Sequence, residues 1–360
     1  MKIIVIGAGV AGLSIGWRLQ LLGAHVTILE RAQPASAATW ASAGMIAVGG
    51  EFGDAQTAEA EFARFSRGLW PDFAKEVEEA SGHAVRYRRC GALMVAQSQV
   101  ELDATRLWQG AERMNRVRAL TMEPMLAPNV VGAIWAPDEA QVDSRALGQA
   151  LALAFIRAGG ALIPNEVVLS FKLEGSRVAS IATPFRRYEA DAFMIAAGAW
   201  SGTMEGLPAE VVLPIKPIKG EMLSVAPRAG EPLPQHIVWG SDVYMVPRVD
   251  RLLIGATSDD AGFDTSITEA GVENLSKRAR RLMPGIAQWV VTERWAGLRP
   301  MSADGLPLLG RTTVSGLFVA TGQYRNGILF APAIARLMSR IVLENDDGIA
   351  AFDPRRFAPS

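Results

Sequence analysis

Cysteine occurs once, at Cys90, and histidine three times, at His25, His83 and His236, far apart in the chain. The single thiol excludes an intrachain disulfide framework and any cysteine-rich zinc or iron–sulfur centre, and it suits a reducing compartment. The scattered histidines argue against a poly-histidine site, so no metal is expected. An excess of charge of one sign is also lacking: 36 Lys and Arg against 37 Asp and Glu leave a net charge of −1. That balance excludes a dominant basic surface for nucleic acid and a polyacidic tail. No uninterrupted apolar run reaches the roughly 18 residues that a membrane span needs. The opening Met1-Lys2-Ile3-Ile4-Val5-Ile6 resembles the start of a signal peptide but breaks at Gly7, so no targeting segment is expected. The expectation is a soluble cytoplasmic protein. What is there is an ordinary globular composition, 49% hydrophobic and 20% charged over 360 residues, long enough for one large or two smaller domains.

Ile3 to Ile6 reads as a short buried strand, rich in β-branched residues. Gly7-Ala8-Gly9-Val10-Ala11-Gly12 follows, then helical spacing from Leu13 to Leu22, a second strand His25–Leu29, and Glu30 at its end. Each part of this βαβ unit has a task. Gly7 allows the tight turn, Gly9 lets backbone approach a pyrophosphate, and Gly12 lets the helix pack closely on the strand. The helix N-terminus offers N–H groups and the positive dipole end to phosphates. Glu30 can accept from ribose hydroxyls and disfavours a 2′-phosphate. Strand, glycine triplet, helix, strand and acid in register point to a dinucleotide, NAD or FAD; the plain alternative is a glycine-rich turn without a ligand. The small-residue stretch Ser36 to Ile46 would let backbone lie against a flat ligand, or is an ordinary surface loop.

Further along, helices are predicted over about 54–82 (with Phe62, Phe65, Leu69, Phe73 and Val77 as a core stripe), over 100–114, over 145–158 with Asp143 or Ser144 as cap, over 268–283 and over 327–343. Strands are predicted at 88–95, 161–163, 167–171, 177–182, 191–197, 213–225, 243–248 paired with 252–257, 290–296 and 317–322. Pro124, Pro128 and Pro137 mark a loop-rich region. This order predicts an α/β fold, a Rossmann-like nucleotide domain interleaved with a smaller β-rich α+β substrate domain. The expected boundaries are 1–83, 145–213 and 301–360 for the first, and 84–144 and 214–300 for the second.

Gly7-x-Gly9-x-x-Gly12 with Glu30, Ser42-Ala43-Gly44-Met45, Tyr244-Met245-Val246-Pro247-Arg248, Trp295-Ala296-Gly297-Leu298-Arg299-Pro300 and Gly322-Gln323-Tyr324-Arg325-Asn326-Gly327-Ile328-Leu329 occur in this order. Together they resemble the D-amino-acid-oxidase-like flavoenzymes, and among these the glycine oxidases that supply dehydroglycine for the thiazole ring of thiamine. The resemblance implies FAD held by Gly7, Gly9, Val10, Ala11, Gly12, Glu30, Arg31, Ala38, Thr39, Ala43, Gly44, Met45, the backbone of Val168, and Gln323, Tyr324, Arg325, Asn326, Gly327, Ile328 and Leu329. Covalent flavin in related sarcosine oxidases uses a cysteine just after the Gly-Leu-Arg-Pro motif. Here Met301-Ser302-Ala303 follows, which implies non-covalent FAD.

The implied reaction is oxidation of an amine to an imine, with hydride transfer from Cα to flavin and oxygen reduced to hydrogen peroxide. Water then hydrolyses the imine to a 2-oxo acid with release of ammonia or an amine. Arg299 is the expected clamp for the substrate carboxylate, because its planar fork holds both oxygens. Tyr244 would donate a second hydrogen bond, and Arg325 would stand beside the flavin or the site mouth. The N-terminus of the 327–343 helix would favour negative charge on the reduced ring. Asp242 stands where glycine oxidases have a histidine, and Ser258 where they have a methionine, so sarcosine and small D-amino acids join glycine as candidate substrates. The resemblance also implies a homotetramer and a thiazole synthase as possible partner. A D-amino-acid dehydrogenase passing electrons to a quinone or carrier is the alternative activity, and a non-catalytic flavin-binding partner subunit the alternative of another class.

Overall fold

The computed structural model describes residues 1–358; the last two residues of the expected 301–360 segment lie outside the described residues. The βαβ unit forms as its pattern requires. Strands Lys2–Ile6 and His25–Leu29 pair in parallel around helix Val10–Leu21. They belong to a six-stranded sheet whose order across the sheet is Leu308–Arg311, Leu317–Thr321, Ala192–Ile195, Lys2–Ile6, His25–Leu29 and Ala161–Ile163. Only its edge strand Leu308–Arg311 runs antiparallel to its neighbour. The near-continuous apolar strands reflect burial on both faces. On one face helices Val10–Leu21, Ala58–Ser81, Ser144–Arg157 and Gly327–Leu343 pack around Leu13, Trp70, Phe155 and Phe330. On the other lies a three-stranded antiparallel sheet with Val178 and Ile181 in its core.

A second, eight-stranded sheet carries Val290–Ser302, Ile215–Ala226, Leu252–Gly255, Tyr244–Pro247, Ile237–Trp239, Ala92–Ala96, Gly132–Ala136 and Glu112–Asn115 in that order. Helix Glu269–Leu282 covers it through Val272, Leu275, Ala279 and Leu282. Met45–Ile46 and Ala140–Gln141 form a small ribbon apart from both sheets. Among the described residues no helix is long and apolar enough to cross a membrane.

Several expected elements move. The helix expected over 100–114 ends at Ala104. After it the chain turns through Gly110, at φ +87°, into strand Glu112–Asn115, which pairs with Gly132–Ala136. That second strand lies inside the proline-marked region, and helix Arg116–Met122 forms just before it. The helix expected over 54–82 starts at Ala58, where Thr57 accepts from the Ala60 N–H at 3.2 Å. Within its stripe Phe65 is 47% exposed and faces away from the core. The strand expected at 167–171 forms at Ser170–Glu174 instead, leaving Val167 to Leu169 as open chain. Gly297 to Pro300 does not leave the sheet but continues strand Val290–Ser302, paired residue by residue with Ile215–Ala226.

The first turn is packed backbone against backbone. Gly7 sits at φ +111°, and a Cβ there would meet the Ala196 carbonyl oxygen at 2.4 Å; a Cβ on Gly12 would meet the Gly7 carbonyl oxygen at 2.0 Å. Backbone atoms cannot rotate away as a side chain can. Gly12→Ala should therefore cost about 3 kcal/mol of stability through overpacking, read as a lower urea midpoint. An unchanged midpoint would show that the turn has slack.

Candidate active site

A cavity of about 1010 Å³ opens at the C-terminal ends of strands Lys2–Ile6, His25–Leu29 and Ala192–Ile195 and runs to the eight-stranded sheet. Parallel α/β sheets bind ligands at this end, and the volume suits a large cofactor with a small substrate. Of the residues expected around FAD, Gly7, Gly9, Val10, Ala11, Glu30, Arg31, Ala38, Thr39, Ala43, Gly44, Met45, Val168, Gln323, Tyr324, Arg325, Gly327 and Ile328 line it. Gly12, Asn326 and Leu329 stand behind the wall. Gly12 packs on Gly7. Asn326 Nδ2 donates to Glu59 at 3.5 Å, and the Leu329 carbonyl accepts from Ser66 Oγ and Trp70 Nε1 at 2.7 and 2.9 Å.

The lining fits a dinucleotide with a flat ring. Helix Val10–Leu21 starts on the wall with Gly9 as its N-cap and no side-chain cap, so its N-terminus is presented to the cavity. Glu30 is oriented by the N–H groups of Ala8 and Ala32, at 2.7 and 3.0 Å, one on each oxygen. Thr39 Oγ1 accepts from the Val10 N–H at 2.9 Å, tying the 38–41 turn to that helix. Arg31 lies 4.4 Å over the Trp200 ring, another lining residue. Gln323 is buried on the wall with its Nε2 lacking a protein partner; a buried amide donor in that state calls for an acceptor from a ligand. Cys90 is not part of the lining and accepts from Gln141 Nε2 at 3.3 Å.

At the far end the eight-stranded sheet brings Arg299 and Tyr244, and the turn before helix Gly327–Leu343 brings Arg325, onto the cavity wall. Arg299 lies across Gly220, whose lack of a Cβ makes the room, and its Nη1 donates to the carbonyl oxygens of Lys219 and Thr257 at 3.3 and 3.1 Å. Among the described residues no carboxylate pairs with it within ion-pair distance. Tyr244 OH fills the space over Gly255 and donates to Met222 Sδ at 3.9 Å. Burial pushes the Tyr244 phenol above its ordinary range, with Arg299 and Arg325 offsetting part of the rise, so the hydroxyl keeps its proton at neutral pH. Asp242 and Ser258 both line the cavity. The Asp242 carboxylate is engaged by Arg281 at 2.7 Å and Arg278 at 3.4 Å, so its charge is compensated.

Sequence reasoning missed the groups that hold the walls in place. Arg248 is half-buried and donates to the carbonyl oxygens of Ala43, at 2.6 Å, and Val142, at 3.1 Å, and to Gln141 Oε1. It thereby joins the Tyr244–Pro247 strand to the Ala43–Met45 wall. Desolvation pushes its pKa down to about 10, still protonated at pH 7. Arg145 stacks 3.7 Å over Trp40, and Trp295 Nε1 donates to the Ala41 carbonyl at 2.9 Å. Arg248 was visible as the last residue of a quoted motif; its carbonyl partners are far apart in sequence and carried no signal. Glu51 also went unread, in a segment without periodicity. It lines the cavity, and its carboxylate accepts from Arg325 at 2.6 Å.

Two predictions follow from this chemistry. Arg248→Met strands two buried carbonyl oxygens and should cost about 3 kcal/mol in urea unfolding; a loss within error of zero would discount the tether. The second concerns acid titration. Burial, the largest cause, pushes the Glu51, Glu59 and Glu139 carboxyls above the ordinary range, against partial offsets from Arg325, Asn326 and the Val48 and Gly49 N–H groups respectively. Such groups hold a proton more tightly folded than unfolded. Their contribution to stability is full below the ordinary carboxylate pKa and declines as pH rises through the raised values. Urea unfolding across about pH 4 to 7 should show that decline, and Glu59→Gln should flatten it; an identical slope in the variant would contradict the assignment.

A family profile described as FAD dependent oxidoreductase matches residues 2–341. The chain is 35% identical to a glycine oxidase of Geobacillus kaustophilus over 368 residues, covering 98% of this chain and 95% of that protein. It is also 35% identical to the bifunctional protein ThiO/ThiG of Trichormus variabilis over 365 residues, covering 99% of this chain. The chain spans about half of that bifunctional relative, 55% of its length. The crystal structure of glycine oxidase from Geobacillus kaustophilus superposes with a TM-score of 0.91 at 33% identity, covering 99% of this chain and all of that one.

Proposed function

We propose that this chain, which belongs to the FAD dependent oxidoreductase family, oxidises glycine or a similarly small amino acid, such as sarcosine or a small D-amino acid. The observation that carries the reading is Arg299: a cavity-lining guanidinium bonded to backbone carbonyls and left without a carboxylate. A planar fork in that state is suited to an acidic ligand, and its carbonyl partners fix the direction it faces. Tyr244, protonated at neutral pH, supplies a second donor to the same carboxylate. Bound FAD supplies the two-electron acceptor that converts the substrate Cα–N single bond to an imine, which water hydrolyses. The residues of this chain position the substrate. Arg299 and Tyr244 hold its carboxylate, while Arg248 and the Arg145–Trp40 stack hold the 38–45 wall against which the ring would lie. An amine that binds neutral needs no general base, in keeping with a wall that offers no histidine.

In this reading residues 1–83, 145–213 and 301–360 serve the cofactor, and 84–144 and 214–300 the substrate. Oxygen is the acceptor, giving hydrogen peroxide. The half-length match to a protein named ThiO/ThiG supports, as the alternative to hydrolysis, handing of the imine to a thiazole synthase.

The test is anaerobic. The FAD-loaded protein should bleach with glycine or sarcosine and recolour in air with peroxide release. Bleaching without peroxide, with fast reduction of a quinone or dye, would replace oxygen as acceptor. No bleaching with any small amino acid would overturn the reading. Arg299→Ala should lower kcat/KM about 100-fold or more, the consequence of losing a charged contact of about 3 kcal/mol. An unchanged kcat/KM would remove Arg299 from the role.

A further inference from the structure

One carboxyl group on the cavity wall has no part in the proposed oxidation. Glu51 lies in the short helical turn Gly49–Phe52, its side chain 19% exposed, with its Oε1 accepting from Arg325 Nη2 at 2.6 Å. Its place is imposed from behind. The buried Glu139 carboxylate accepts from the N–H groups of Val48, Gly49 and Gly50 at 2.8, 2.6 and 3.3 Å. The Trp108 and Trp239 rings press on the same backbone, where Cβ atoms on Gly49 and Gly50 would come within 2.1 and 2.5 Å. A strap gripped in this way holds the Glu51 carboxylate on the wall.

The charges at the substrate end then decide what enters. The cations on this stretch of wall are Arg299 and Arg325, and the acids are Glu51 and Asp242. Asp242 is occupied by Arg281 and Arg278 of helix Glu269–Leu282. Glu51 occupies Arg325. Arg299 alone is bonded only to carbonyl oxygens. One open cation matches one carboxylate. A substrate with a second carboxylate would have to displace Glu51 from Arg325 and meet its negative charge in a partly desolvated cavity, where like charges repel far more than in water.

We propose that Glu51 determines specificity here: by occupying Arg325 it restricts the site to amino acids with a single carboxylate, and removing its charge opens the site to amino diacids. The proposal rests on the reading of Arg299 as the carboxylate clamp. Its test needs no turnover. Glycolate, with one carboxylate, and diglycolate, with two, lack the amine and are titrated into the FAD-loaded enzyme while the visible flavin spectrum is followed. In the wild type diglycolate should bind more weakly than glycolate, by about tenfold. In Glu51→Gln the diglycolate-to-glycolate affinity ratio should rise by about tenfold or more, because Arg325 then has a free fork for the second carboxylate. Adding Arg325→Met to Glu51→Gln should abolish the gain. Arg325→Met by itself, which leaves Glu51 unpaired, should weaken diglycolate below its wild-type affinity.

An unchanged ratio in Glu51→Gln, with both ligands still perturbing the spectrum, overturns the proposal and leaves the Arg299 clamp standing. Unchanged diglycolate binding in Arg325→Met overturns it too, even if Glu51→Gln fails to hold FAD. A wild-type spectrum that does not respond to glycolate overturns the clamp reading and this proposal together.

Discussion

A half-buried guanidinium holds the two sides of the cavity in register. Arg248 leaves the end of a strand in the eight-stranded sheet and donates to the Ala43 and Val142 carbonyls. Ala43 belongs to the wall on the nucleotide side, and Val142 follows the ribbon that pairs Met45–Ile46 with Ala140–Gln141. Removing a charged group from water is expensive, and only full hydrogen bonding makes its burial tolerable. The carbonyls that compensate Arg248 are thereby constrained to converge on it. Gly44 belongs to the same constraint: at φ +67° its Cβ would meet Val142 O at 2.0 Å.

Around that tether the cavity divides by chemistry. At one end a helix N-terminus with glycine as its N-cap, the oriented Glu30 carboxylate and the Arg31–Trp200 stack offer donors, an acceptor and a flat surface. At the other, two cations stand in different states. Arg325 is matched by an acid on a rigid strap, whereas Arg299 is bonded to dipoles alone. A guanidinium bonded only to carbonyls keeps its full charge available, so the second state is the one that invites an anion.

The framing of Arg299 shows how a strand interior can serve a site. Lys219-Gly220-Glu221 pairs in register with Leu298, Gly297 and Ala296, and Arg299 stands opposite Ile218. The buried Lys219 and Glu221 are 3.7 Å apart, and Glu221 accepts from the Thr268 N–H at 2.7 Å. Between these two charged residues Gly220 leaves the space in which Arg299 lies. The glycine supplies room, its flanking pair supplies rigidity, and Arg299 is positioned by a paired strand.

The sequence by itself determined the dinucleotide unit, because strand, glycine triplet, helix and acid are neighbours in the chain and their spacing is enforced by backbone contact at Gly7 and Gly12. It also marked Arg299, Tyr244 and Arg325 through compact motifs, and the terminal helix Gly327–Leu343 through its apolar period. It misplaced elements where tertiary pairing overrode local pattern: the 105–111 loop beyond Ala104, and Gly297 to Pro300, which a strand partner keeps extended despite glycine and proline. What only the tertiary structure decided is which charges meet. Glu51 and Arg325 are 274 residues apart, and Arg248 and Ala43 are 205 apart. Local propensity extends over a few residues, whereas the cost of burying a charge is settled by whatever the fold brings beside it.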